Sequence, residues 1–82
     1  MKVGEDTRLD MMQYAIVIER GEISYGAYLP DLPGCVAAAA TLKGVVKLIH
    51  EAIEQHIQLL GEEGIPVPEA RSVTEYADVQ VA

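Results

Sequence analysis

Apolar and polar side chains alternate from Gln13 to Arg20, with Tyr14, Ile16 and Ile18 on one side and Ala15, Val17 and Glu19 on the other. A period of two is that of a β-strand. Arg20-Gly21-Glu22 reads as a turn and Ser24 to Leu29 as a second strand, so the two form a hairpin. Gly26 inside the second strand marks a bulge or a close backbone approach. Pro30-Asp31-Leu32-Pro33-Gly34 then interrupts the pattern. Two prolines fix φ and also restrict the residues before them, Leu29 and Leu32, so this is a stiff loop. Cys35 to Ala40 resumes as a short third strand of small residues.

After Thr41 the period changes. Leu42, Val45, Val46, Ile49, Ala52, Ile53, His56, Ile57 and Leu60 recur at steps of three and four, the stripe of an amphipathic helix. Thr41 is a good N-cap, although Lys43 and Gly44 leave the first turn without the acid of a capping box. Gly61 or Gly64 is expected to end the helix, and Pro66 and Pro68 prevent its return. Val73 to Val81 alternates again, with Ala77, Val79 and Val81 opposite Tyr76, Asp78 and Gln80, and is expected to be a last strand.

The predicted fold class is therefore α+β, in the order β-β-β-α-β: a small, antiparallel-rich sheet with one helix packed on one face. Residues 1–11 have no period and are expected to be a flexible N-terminal arm; residues 12–82 are expected to be a single domain. The first strand is apolar on both sides and Cys35 to Ala40 is apolar throughout. A sheet with two apolar faces needs a second cover. A homo-oligomer, dimer or tetramer, or an obligate partner is expected.

Composition narrows the function. The chain has 82 residues, half of them hydrophobic, with four Tyr, no Phe and no Trp, so the core is aliphatic. Its formal net charge is −7 and its six basic residues are scattered. Gripping a phosphate backbone needs clustered Lys and Arg, so nucleic acid is a poor partner and a basic macromolecule a good one. Cys35 is the only cysteine, which excludes an intrachain disulfide. No apolar run approaches the length of a membrane span, and a cytoplasmic protein without membrane contact is expected.

Candidate chemistry is sparse. A metal nuclease needs converging carboxylates, but Glu19, Glu22, Asp31, Glu75 and Asp78 are spread over turns and strand ends. His50-Glu51 lacks the second histidine four residues on that a zinc-binding helix requires; His56 comes later and points elsewhere. Cys35 has only Gly34, Val36 and alanines nearby, so it reads as a small core residue rather than a nucleophile. No enzyme, metal or cofactor is expected. The Pro30–Gly34 loop is the candidate functional feature, presenting Leu32 as an apolar anchor beside the Asp31 carboxylate. The alternative is that it is only the corner that starts the third strand.

Three motifs in order carry a family resemblance: the run Tyr25-Gly26-Ala27-Tyr28-Leu29-Pro30-Asp31-Leu32-Pro33-Gly34-Cys35, the helix start Thr41-Leu42, and Gly64-Ile65-Pro66-Val67-Pro68-Glu69 after the helix. Together they resemble HicB-like antitoxin domains. The resemblance implies a partial RNase H-like fold. It also implies a non-catalytic protein that binds and neutralises a small, basic, mRNA-cleaving toxin of the HicA type. The chemistry of an acidic cover for a basic toxin suggests Glu19, Glu22, Tyr28, Asp31 and Leu32 as partner-binding residues. Many family members continue into a C-terminal DNA-binding segment; here the chain ends shortly after the last strand, and direct DNA binding is not expected. Two alternatives stand beside the antitoxin: a self-associating structural or ligand-binding module without a toxin, and a metal-dependent RNase H-like nuclease.

Overall fold

The computed structural model describes residues 12–81. The expected N-terminal arm, residues 1–11, lies outside them. Strands β1 (Val17–Arg20), β2 (Tyr25–Tyr28) and β3 (Val36–Ala39) are followed by helix α1 (Leu42–Glu62). The sheet order is β1-β2-β3 and both pairings are antiparallel. Ala27 is the centre of the register, opposite Ile18 on one side and Ala37 on the other. The α+β class, the hairpin and the single helix are as the patterning predicts.

Helix α1 lies over β3 and β2 and does not reach across to β1. The buried core is Ala27, Leu29, Leu32, Cys35, Val45 and Ile49, with Tyr14, Ile16, Tyr25, Ala37, Ala39 and Ile53 packed around it. Alanines on β3 let the helix approach closely, which is why a strand of such small residues suits this position.

Both ends of α1 are set locally. At the N-terminus the Gly44 amide donates to Thr41 Oγ1 at 3.0 Å. A Cβ on residue 44 would stand 2.9 Å from that oxygen and 3.3 Å from Ala39 Cβ. Glycine at this position lets the capped turn sit tightly against the end of β3, in place of a capping-box acid. At the C-terminus Ile65 N donates to Leu60 O at 2.9 Å and Gly64 N to Gly61 O at 3.2 Å, with Gly64 at φ +71°. This is a Schellman stop, in which a left-handed residue closes off the last carbonyls. Gly64 therefore ends the helix, and Gly61 lies within it.

The fourth strand expected at Val73–Val81 is not formed. Residues 65–81 have no regular secondary structure, and all of 73–81 is exposed, with Val73 at 91% and Tyr76 at 99%. The physical reason is that alternation fits a strand to a sheet but does not supply the neighbour; here no described strand lies against it.

Candidate functional site

The Pro30–Gly34 loop is built from two consecutive tight turns. Leu32 N donates to Leu29 O at 3.3 Å, and Cys35 N to Leu32 O at 3.2 Å. Each turn has proline at its second position, where a φ near −65° is required. Gly34 follows Pro33 at φ +86°, as a type II turn demands. The three-residue step points Leu29, Leu32 and Cys35 the same way, and all three are buried. Leu32 is 0% exposed. It anchors the loop to the core and presents nothing to a partner, which corrects the expectation drawn from the sequence.

Asp31 is also committed internally. Its Oδ2 accepts the amides of Arg71 at 2.7 Å and Ser72 at 2.6 Å, and its Oδ1 accepts Ser72 Oγ at 3.0 Å. The Ser72 amide is the main reason that the carboxyl is held below its ordinary pKa, with the Arg71 amide, the Ser72 hydroxyl and the Arg71 charge adding to it. Nearby, the Tyr14 hydroxyl donates to the Pro68 carbonyl. Burial, and then the negative charge of Asp31, push the Tyr14 phenol above its usual value. Tyr14 and Asp31 thus strap residues 65–72 back onto the body. Nothing local in the sequence marks this clasp; a lone phenol on the otherwise apolar Ile16–Ile18 stripe is the only hint that something polar has to be met.

The other expected partner residues lie elsewhere. The core side of the sheet carries Tyr25, Ala27, Ala37 and Ala39, so by alternation the opposite side carries Val17, Glu19, Tyr28, Val36 and Ala38. Tyr28 sits between Val17 and Val36 in register. It is 41% exposed and Val36 is 65% exposed. Glu19 stands on the same face, opposite Gly26. Glu22 is in the exposed hairpin turn beyond it. The structure therefore groups Glu19 and Tyr28 with Val17 and Val36 on one open face, leaves Glu22 in the exposed turn next to it, and sets Asp31 in the clasp and Leu32 in the core. An apolar strip edged by carboxylates can dock a surface that is itself apolar at its centre and basic around it.

Reaction chemistry is not assembled at this face. Cys35 is buried and desolvation raises its thiol pKa, the reverse of an activated nucleophile. Among the described residues, no three His, Cys, Asp or Glu side chains are placed to hold a metal ion. No helix among them is long and apolar enough to cross a membrane.

Known proteins resemble this chain in both sequence and structure. A family model described as "HicB_like antitoxin of bacterial toxin-antitoxin system" matches residues 14–80. An uncharacterized 14.9 kDa protein from the rep-hol intergenic region of Haemophilus phage HP1 is 34% identical over 65 residues, covering 79% of this chain and 49% of its own length. The chain thus spans about half of that relative. A UPF0150 protein of Archaeoglobus fulgidus is 39% identical over 49 residues, covering 58% of this chain and 71% of its own. Among solved structures, a chain of the HicA3 and HicB3 toxin-antitoxin complex superposes with a TM-score of 0.59 at 36% identity, covering 67% of this chain and 64% of that one.

Proposed function

Since this chain belongs to the HicB-like antitoxin family of bacterial toxin–antitoxin systems, we propose that it binds and neutralises a small, basic, mRNA-cleaving toxin of the HicA type. The observation that carries this reading is the similarity, in both sequence and structure, to a chain solved within a HicA3 and HicB3 toxin-antitoxin complex. The net charge of −7 supports it, because opposite charge speeds encounter with a basic protein and suppresses wrong partners.

In this reading the partial RNase H-like fold serves as a scaffold rather than a nuclease. The open sheet face meets the toxin, with Tyr28 as the central aromatic contact, Val17 and Val36 beside it, and Glu19 and Glu22 pairing with basic side chains at the rim. A toxin held this way has its RNA-binding surface covered, so neutralisation is by occlusion and needs no reaction from this chain. Its place of action is the cytoplasm, where the messenger is.

Co-expression with the product of the adjacent gene tests the proposal. Growth arrest by the neighbour alone, relieved by this chain, is the expected result; a neighbour equally toxic with and without it sinks the idea. Tyr28→Ala should weaken binding by about 2 kcal/mol, the scale of a central aromatic contact. Glu19→Lys should mainly slow association and flatten its salt dependence.

A further inference from the structure

Gly26 sits within β2, the central strand of the sheet. Glycine weakens a strand interior, because it has the most chain entropy to lose and no side chain to pack. The fold supplies no reason for it here. Its φ is not positive. The register runs unbroken through Glu19↔Gly26 and Gly26↔Ala38, so there is no bulge. Beyond its chain neighbours, a Cβ on residue 26 would meet only Ala37 O, at 4.0 Å, an ordinary contact. An alanine would fit. Of the two readings that a strand glycine allows, a bulge and a close approach, the second is left, and the approach has to come from outside the chain.

It comes from the open face. Ala27 points to the core, so the missing Cβ of Gly26 would point the other way, with Glu19, Tyr28 and Ala38. Gly26 and Ala38 leave nearly bare backbone across two strands. The Glu19 carboxylate stands at the β1 end of that row, and the Tyr28 ring stands in the next row. Tyr28 and Glu19 are diagonal neighbours, which in an antiparallel pair lie about 7–8 Å apart. That gap equals two contact distances of about 3.5–4 Å, room for one flat group between carboxylate and ring. Both side chains are exposed. Among the described residues the salt bridge formed is that of Arg71 with Glu69, so none of their basic side chains claims Glu19.

We propose that Gly26 is a specificity-determining residue of the toxin-binding face, and that the space over it seats one arginine side chain of the basic toxin. The guanidinium lies flat on the bare backbone, stacks against Tyr28 and pairs with Glu19. Arginine suits this seat because its charged group is planar, stacks on aromatic rings and meets a carboxylate with a fork of donors, whereas the ammonium of lysine is a compact point charge. A side chain at residue 26 would lift the guanidinium off both partners. The inference rests on the toxin reading and deepens it, naming the group recognised and the residue that admits it.

The test is the affinity of Gly26→Ala and Gly26→Val for the purified product of the adjacent gene, measured by calorimetry beside thermal melts. Both variants should melt no lower than wild type, since alanine and valine lose less chain entropy in a strand. Gly26→Val should nevertheless bind about tenfold more weakly or worse, and Gly26→Ala should fall between it and wild type. Glu19→Gln should weaken binding several-fold in the wild-type background and add nothing to Gly26→Val, because one guanidinium serves both residues. Gly61→Ala, on the helix and remote from this face, should bind as wild type does. Wild-type affinity in Gly26→Val, or additive losses from Gly26→Val and Glu19→Gln, would overturn the proposal and leave the toxin reading standing. A wild-type chain without affinity for the neighbour would remove the toxin reading, and the proposal with it. Gly26→Val altering the mass of the free chain in light scattering, with toxin affinity unchanged, would assign the face to contact between copies and overturn the proposal as well. Should the valine variant melt below wild type, Gly26→Ala and its cycle with Glu19→Gln decide the matter by the same criteria.

Discussion

Asp31 accepts both the amide and the hydroxyl of Ser72, a residue 41 positions away, at 2.6 and 3.0 Å. The carboxylate is stiffly presented by the turn that begins at Leu29-Pro30, and the serine is where the chain after the helix is last tied to the body by a side chain. How residues 65–72 lie on the body depends on this pair.

Replacing the carboxylate should therefore free the strap without melting the fold. In Asp31→Ala the amides of Arg71 and Ser72 should lose their hydrogen-exchange protection, while the Val45–Ile57 amides of the helix keep theirs. Asp31→Asn, which retains one acceptor oxygen, should fall between. Acid should mimic the alanine variant. The Asp31 pKa is lowered in the folded chain, so the folded state binds this proton less readily than the unfolded one. The stabilisation is complete above the ordinary carboxylate pKa of about 4 and is lost as pH falls through the lowered folded value. Exchange measured at stepped acidic pH should show 71–72 opening before the helix does. Simultaneous loss of both would contradict the assignment.

Leu32→Ala should cost about 2–5 kcal/mol, the range for emptying a fully buried leucine site. Urea unfolding measures it. A surface anchor would lose binding and little stability, so the experiment also separates the two readings of the loop.

The glycines of the helix and its stop should respond in opposite directions. A Cβ on residue 61 would meet nothing within 4 Å, so Gly61→Ala should gain up to about 1 kcal/mol from helix propensity. Gly44→Ala should forfeit that gain, because its Cβ would press on Thr41 Oγ1 and Ala39 and disturb a cap typically worth about 1 kcal/mol. Gly64→Ala should lose about 1 kcal/mol or more, since an L side chain is strained at its φ of +71°. Thermal melts of the three variants side by side provide the check.

The Cys35 thiol should report global opening. It is buried and its pKa is raised, so reaction with a thiol reagent should be slow in the native protein and rise in step with denaturant unfolding. Rapid labelling in native buffer would mean that the core beneath the Pro30–Gly34 loop is accessible.

Much of this architecture is legible in the sequence because its signals are local. Thr41 as cap, the Gly64-Ile65-Pro66 stop and the period change after Ala40 each state their meaning within a few residues. Leu32 misleads because a Pro- and Gly-rich loop suggests a surface. The three-residue step from Leu29 to Leu32 to Cys35 nonetheless describes a loop that turns one side inward. The Asp31 clasp is not legible, since its partners are 40 and 41 residues away and no short pattern links them. The fourth strand is legible as a strand-forming sequence but not as a strand, because pairing is a property of two segments and the chain displays only one.

The clasp also orders events in time. The sheet, the double turn and the helix rely on neighbours close in sequence, and such contacts form quickly. Closure between Asp31 and Ser72 must wait for a loop of 41 residues, whose closing entropy is recovered only once the sheet and helix have brought its ends together. During synthesis every residue of the sheet and helix leaves the ribosome before Ser72 does. The segment 65–72 is thus the last of the strapped parts to find its place, and it does so against a surface that is already standing.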